Sequence, residues 1–219
     1  MTQRVAVIDP GSGNLASVLR AFEKAAEDND IDVQVKVVAS AADLRMADRI
    51  VLPGQGAFAA CRRGLDALPG VVDALEDRVR GHGVPFLGIC VGMQLMATRG
   101  LEHGETPGLG WIPGTVALMD PKGPDGLPLP LPQMGWNELS FEEGFHPVLD
   151  LVRPGDQVYF VHSFAFEAED PEDVIATTDY GGPVAAIIAR GNLAGLQFHV
   201  EKSGPVGLRM LANFLRWEP

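Results

Sequence analysis

Val84-Pro85-Phe86-Leu87-Gly88-Ile89-Cys90-Val91-Gly92-Met93-Gln94-Leu95-Met96-Ala97 passes from a short apolar run, through a cysteine bracketed by glycines, into a helix-like stretch over Met93 to Ala97. A nucleophilic side chain on a strand-to-helix turn is the layout of a nucleophile elbow. The glycines suit such a turn because side chains at their positions would crowd backbone and substrate. A following helix offers free N–H groups and a dipole that favour a thiolate and an oxyanion beside it. The same corner also suits a packed, inert thiol, since cysteine is often fully buried.

Working outward, the first half alternates strand and helix patterns. Arg4 to Asp9 reads as a strand, and Gly11-Ser12-Gly13 turns it into a helix over about Asn14 to Asp28, with Leu15, Val18, Leu19, Phe22 and Ala26 at helical spacing. Val33 to Val38 and Arg49 to Leu52 are further strands, and a helical region over Phe58 to Arg80 is broken near Pro69-Gly70. Repeated βα units predict a parallel sheet covered by helices. In the second half, Trp111 to Leu118, Val158 to Phe166 and Val174 to Thr178 read as strands without intervening helices. Val184 to Ala189 and Leu193 to Phe198 flank a Gly191-Asn192 hairpin turn, Pro121 to Pro132 is a loop, and Val206 to Trp217 is a closing helix. The sum is a mixed α/β sheet: a parallel half carrying the elbow, joined to an antiparallel half.

The 219 residues suit one large domain, and the apolar fraction of 46% is enough for a sizeable core. A net charge of −12 argues against nucleic acid or an anionic membrane as partner, because neither is bound without a basic footprint. No apolar run has the length of a membrane span and no signal peptide is evident. With only Cys61 and Cys90, a reduced cytoplasmic thiol protein is expected.

Gly11-Ser12-Gly13-Asn14-Leu15-Ala16 matches the dinucleotide fingerprint, but the second strand ends Val37-Val38-Ala39-Ser40 with no acid to hold a ribose. A tight βα turn is the better reading, and no cofactor or metal is expected. A cysteine nucleophile needs a base and a group that orients it. In Gln197-Phe198-His199-Val200-Glu201-Lys202-Ser203, the strand period of two puts His199 and Glu201 on one side at a strand end. A surface His–Glu pair fits that spacing too. His82, His103 and His146 sit in Gly- or Pro-flanked loops and are expected to be exposed, whereas His162 lies in a β run, either in the core or lining a site. For an oxyanion, the Val91 N–H directly follows Cys90, and Pro53-Gly54-Gln55-Gly56-Ala57-Phe58 could present the Gln55 N–H.

Taken together, Gly88-Ile89-Cys90-Val91-Gly92-Met93-Gln94 and Gln197-Phe198-His199-x-Glu201-Lys202-Ser203 resemble the nucleophile and base motifs of the class I (triad) glutamine amidotransferases. Ile8-Asp9-x-Gly11-Ser12-Gly13-Asn14-Leu15, Leu52 to Phe58, Gly108-Leu109-Gly110, Met134-Gly135-Trp136-Asn137 and Tyr159-Phe160-Val161-His162-Ser163 narrow the resemblance to the branch serving imidazole glycerol phosphate synthase, in histidine biosynthesis. The resemblance implies one domain over residues 1–219 with a flavodoxin-like fold. That fold has a mixed, mainly parallel central sheet, helices on both faces and an added antiparallel region in the C-terminal half. It implies Cys90 as nucleophile, His199 as base then acid, Glu201 as orienter, and the Gln55 and Val91 amides as oxyanion hole. Gly56, Gln94, Glu102, Ser163 and Phe164 match positions that hold glutamine.

On the same basis, glutamine would give a glutamyl thioester and ammonia, and the ammonia would pass to a (β/α)8-barrel cyclase subunit in a heterodimer. Val200 stands where the family usually carries Pro, and Gln133 where a His commonly precedes Met-Gly-Trp-Asn. Other readings are a glutaminase serving the pyridoxal phosphate, anthranilate or guanylate pathways, a hydrolase of the same geometry, and a binding subunit with a vestigial triad.

Overall fold

The computed structural model describes residues 2–11 and 13–219, so Ser12 of the Gly11-Ser12-Gly13 turn lies outside the described residues. β1 (Gln3–Ile8), β2 (Val33–Val38), β3 (Arg49–Gly54) and β4 (Phe86–Cys90) alternate with helices. These are α1 (Leu15–Glu27), α2 (Ala41–Arg45), α3 (Phe58–Asp66) and α4 (Val71–Leu75), the last running into a π-helical turn (Glu76–Gly81). α1 starts where the Asn14 side chain accepts from the Ser17 N–H, and it buries Val18, Ala21, Phe22, Ala25 and Ala26 at helical spacing. β3 and β4 are buried along their whole lengths, as an apolar run covered on both faces must be.

Past α5 (Val91–Gln94) the elements are β5 (Arg99–Gly100), β6 (Thr106–Pro107), β7 (Gly114–Leu118), β8 (Gln133–Glu138), β9 (Gln157–His162) and β10 (Phe164–Ala168). They are followed by β11 (Val174–Asp179), β12 (Pro183–Arg190), β13 (Leu193–Leu196) and α6 (Gly204–Arg216). Among the described residues the central sheet has seven strands in the order β11-β12-β13-β4-β3-β1-β2. β13 joins the two halves, lying parallel to β4 and antiparallel to β12. α1 packs on α6, and α2 and α3 pack on α4; right-handed crossovers place these two groups on opposite faces. β5, β6, β7 and β10 form a smaller sheet, and β8 pairs antiparallel with β9.

The structure corrects the expected elements in several places. The helix after Cys90 is the single turn of α5, not Met93 to Ala97, because the chain must bend back for Leu109 N–H and Gly110 N–H to reach the Leu95 and Ala97 carbonyls. So short a helix supplies first-turn amides but little macrodipole. The run Trp111 to Leu118 forms a strand only from Gly114. Val158 to Phe166 is two strands, β9 and β10, which break at Ser163 and enter different sheets. β8 is not legible as a strand in the sequence, because its Gly135 and outward Met134 and Trp136 obscure the usual alternation.

The elbow depends on two glycines. Cys90 has φ 54° and ψ −112°, a conformation L residues rarely adopt. A Cβ on Gly92 would sit 1.7 Å from the Leu52 carbonyl oxygen, and one on Gly88 would sit 2.7 Å from the Gly92 and Met93 backbone. Gly92→Ala should therefore force β3 and α5 apart and cost about 3 kcal/mol. Urea unfolding is the check, and an unchanged midpoint would refute the close approach.

Candidate active site

Cys90 ends β4, and the register pairs Gly54 of β3 with it, so the Pro53-Gly54-Gln55-Gly56 turn lies alongside the elbow. Both sit at the carboxyl ends of parallel strands, where ligands of such sheets collect. β13, on the other side of β4, leads through Gln197 to His199. A cavity of about 350 Å³ opens there, lined by Gln55, Gly56, Cys90, Val91, Gln94, Glu102, Ser163, Phe164 and His199, and also by Pro132, Val161, His162 and Lys202. Glu201 stands behind His199.

His199 Nδ1 lies 2.8 Å from Glu201 Oε1, and both side chains are buried. The contact expected from the sequence is present on a different backbone. β13 ends at Leu196 and Val200–Lys202 is a 3₁₀ turn, so strand periodicity is not what aligns the pair. The turn is fixed by Ser203, whose Oγ donates to the His199 carbonyl at 2.8 Å and accepts from the Tyr159 N–H at 3.1 Å. The His199 N–H in turn donates to the Tyr159 carbonyl at 2.9 Å. Val200 is buried, and His199 has φ −80° and ψ 91°, outside the α region that a following proline disfavours.

Burial alone would lower the His199 pKa. Hydrogen bonds to Cys90 and Glu201, and the negative charge of both, raise it instead to about 9. Glu201 Oε2 is buried with no hydrogen-bond partner among the described residues, so the carboxylate's interaction is concentrated on the imidazole. At neutral pH His199 is therefore an imidazolium held between the Cys90 sulfur and the Glu201 carboxylate, the arrangement of an activated cysteine.

His162 is its opposite. Its Nδ1–H donates to the Phe164 carbonyl at 2.9 Å, while burial and the nearby His199 charge push its pKa down to about 4. It is thus both core and cavity wall. His82 and His103 are exposed as expected. His146 is not: it is half-buried, its Nδ1 accepts from the Val148 N–H, and its ring packs on Trp217 at 4.8 Å.

The remaining site positions are held by backbone and amide contacts. The Gln55 carbonyl accepts from the Cys61 thiol of α3 at 3.2 Å, and Gly56 has φ 86°. Glu102 Oε2 accepts from the Phe58 N–H at 2.7 Å, capping α3, whose own N-cap residue Ala57 has no side-chain acceptor. Gln94 Nε2 donates to the Phe164 carbonyl and to Gln197 Oε1, both at 3.0 Å. Gln197, fully buried, places Nε2 3.8 Å from Cys90 Sγ. The base motif alone does not reveal its role. The available signal was a polar side chain inside the apolar run Leu193 to Phe198, two residues before the base. Among the described residues no cluster of metal-ligating side chains occurs.

A family model described as "Glutamine amidotransferase class-I" matches residues 6–217. The chain is 51% identical to "Imidazole glycerol phosphate synthase subunit HisH" of Rhodospirillum rubrum over 216 residues, covering 99% of this chain and 100% of that one. It is 54% identical to the protein of the same description from Granulibacter bethesdensis over 218 residues, 99% of this chain and 97% of that one. A solved structure described as a glutamine amidotransferase superimposes with a TM-score of 0.69 at 18% identity, covering 97% of this chain and 99% of that chain, which speaks for the fold alone.

The two buried histidines give opposite pH signatures. His162 takes up a proton near its ordinary 6.5 when unfolded but only near 4 when folded. Between those values the unfolded chain binds the extra proton, so stability falls as pH drops from about 6.5 to about 4, by about 3 kcal/mol. Urea unfolding of His162→Gln should lose most of that acid limb; an unchanged slope in the variant would assign it elsewhere.

Proposed function

We propose, from the premise that this chain belongs to the class I glutamine amidotransferases, a mechanism in which Cys90, His199 and Glu201 serve one glutaminase domain over residues 1–219. The chain is the glutaminase subunit of imidazole glycerol phosphate synthase, of histidine biosynthesis. The observation that carries the site assignment is the strained Cys90 elbow facing His199, with Glu201 2.8 Å behind the other ring nitrogen.

Cys90 Sγ attacks the side-chain amide carbonyl of glutamine. The developing oxyanion is received by the Val91 N–H and, from the adjacent turn, the Gln55 N–H. His199, having taken the Cys90 proton as base, gives it as acid to the departing nitrogen, releasing ammonia and leaving a γ-glutamyl thioester. His199, now neutral, takes a proton from water as it attacks the thioester, and glutamate leaves as the Cys90 thiolate reforms. Glu201 holds the ring tautomer and stabilises the imidazolium at both stages. Glu102 supplies the negative charge for the substrate ammonium, while Gly56, Gln94, Ser163 and Phe164 shape the rest of the pocket. None of these steps calls for a cofactor.

The ammonia goes to a cyclase subunit, a (β/α)8 barrel, which docks on the exposed face of β8. Met134 and Trp136 are 66% and 52% exposed there, beside the cavity wall at Pro132 and His162. Exposed large apolar side chains next to a site mark a protein contact. The Trp136 ring meets Tyr159 edge-on at 5.8 Å, and the Tyr159 carbonyl holds the His199 N–H. Docking on β8 thus reaches the base, which favours low glutaminase activity in the isolated subunit. No helix of the described residues is long and apolar enough to cross a membrane, and both cysteines are thiols; we place the complex in the cytoplasm.

In the reconstituted complex, Cys90→Ala should reduce glutamine-driven synthesis by about a thousandfold or more while synthesis from ammonium salts persists. Glutamine-driven turnover that survives this change removes the triad assignment. Trp136→Ala should weaken binding of the cyclase subunit about tenfold in a titration, and wild-type affinity would move the interface off β8.

A further inference from the structure

Gln197 takes no part in the proton transfers above, yet its buried amide reaches the sulfur. Its Nε2 lies 3.8 Å from Cys90 Sγ, and its side chain is fully buried. Which end of that amide faces the sulfur is decided by its neighbours. The Phe164 carbonyl can only accept, so the Gln94 group facing it must be the NH2. The second hydrogen of that NH2 meets Gln197, so the Gln197 atom there must be the carbonyl oxygen, at 3.0 Å. The Gln197 NH2 is then turned toward Cys90. The Phe164 carbonyl is itself pinned by the His162 Nδ1–H at 2.9 Å, so the amide chain is anchored at its far end.

We propose that Gln197 is a positioning residue that stabilises the Cys90 thiolate, through a fixed N–H donor with no proton to exchange. A thiolate in a buried site has lost its water and needs donors in their place. His199 is one donor, but it must surrender its proton when ammonia leaves. It is neutral again when it begins to activate water. Gln197 stays a donor throughout, so the thiolate that departs from the thioester meets an N–H already in position. Because the amide does not titrate, it lowers the cost of the anion without competing with His199 for the proton. This inference rests on Cys90 being the nucleophile of the glutaminase.

The test is the pH profile of Cys90 alkylation by iodoacetamide in the full chain, followed by mass spectrometry of the Cys90 peptide so that Cys61 does not interfere. Gln197→Glu retains the size of the side chain and an oxygen for Gln94, and replaces the N–H at the sulfur by a carboxylate oxygen. Gln197→Leu removes the donor without adding charge. The half-maximal pH of alkylation should move up by about one unit in Gln197→Leu and further in Gln197→Glu. In the complex, kcat for glutamine should fall about tenfold in Gln197→Leu, with an unchanged urea unfolding midpoint of the variant chain as the measure of folding. An alkylation midpoint that stays at the wild-type value in Gln197→Glu would overturn the proposal, even if turnover fell. A raised KM for glutamine with an unmoved midpoint would overturn it as well, by assigning Gln197 to the substrate pocket through Gln94. The alkylation is read without glutamine. A wild-type complex inert toward glutamine would therefore defeat the glutaminase mechanism and leave the Gln197 midpoint to be judged separately.

Discussion

The backbone of α5 lies against the Leu52 carbonyl of β3, a separation possible only because residue 92 has no side chain. That contact determines how deeply the β4–α5 turn sits in the sheet. It also holds Cys90 at a positive φ that an isolated chain would leave at once. Strain of this kind persists only where surrounding packing over-determines it. Here β3 and β13 flank β4 on either side, and both are buried. The parallel half of the sheet thus acts as a clamp on one strained residue, and the mouth of the cavity forms around it.

Within that frame, electrostatics separate two imidazoles that share one wall. His199 is surrounded by a sulfur and a carboxylate, so it holds its proton. His162 is buried beside a neighbouring positive charge, and its bond to the Phe164 carbonyl does not offset the two, so it stays neutral. The split follows from partners more than from burial, since both rings are almost fully enclosed. A charged imidazole and a neutral one can therefore coexist within one small cavity.

Much of this was legible in the chain. Periodicity located β1 to β4, α1, the helical region around α3 and α4, the β12–β13 hairpin and the closing helix, because each buries one face or both in a regular way. Glycine spacing located the elbow. What the sequence concealed was set by tertiary contact. Nothing local in Val158 to Phe166 marks Ser163 as the point where the chain changes sheets, and β8 hides behind a glycine and two exposed apolar side chains. The His199–Glu201 contact was reached by way of strand periodicity, whereas Ser203 folds a 3₁₀ turn there. Gln197 escaped because its meaning lies in which amides surround it, and only the fold brings Gln94 and Phe164 to it.

The first turns of α3 join two parts of the cavity that are remote along the chain. The Phe58 N–H grips Glu102 at one point, and one turn later the Cys61 thiol grips the carbonyl of Gln55. Helix α3 is therefore a rigid crossbar between the carboxylate on one rim and the glycine-rich turn on the other. A change that slides or tilts this crossbar alters both rims together. Under the roles proposed for Glu102 and Gln55, substrate preference and oxyanion geometry are inherited as a single trait, and drift in α3 cannot retune one while leaving the other alone.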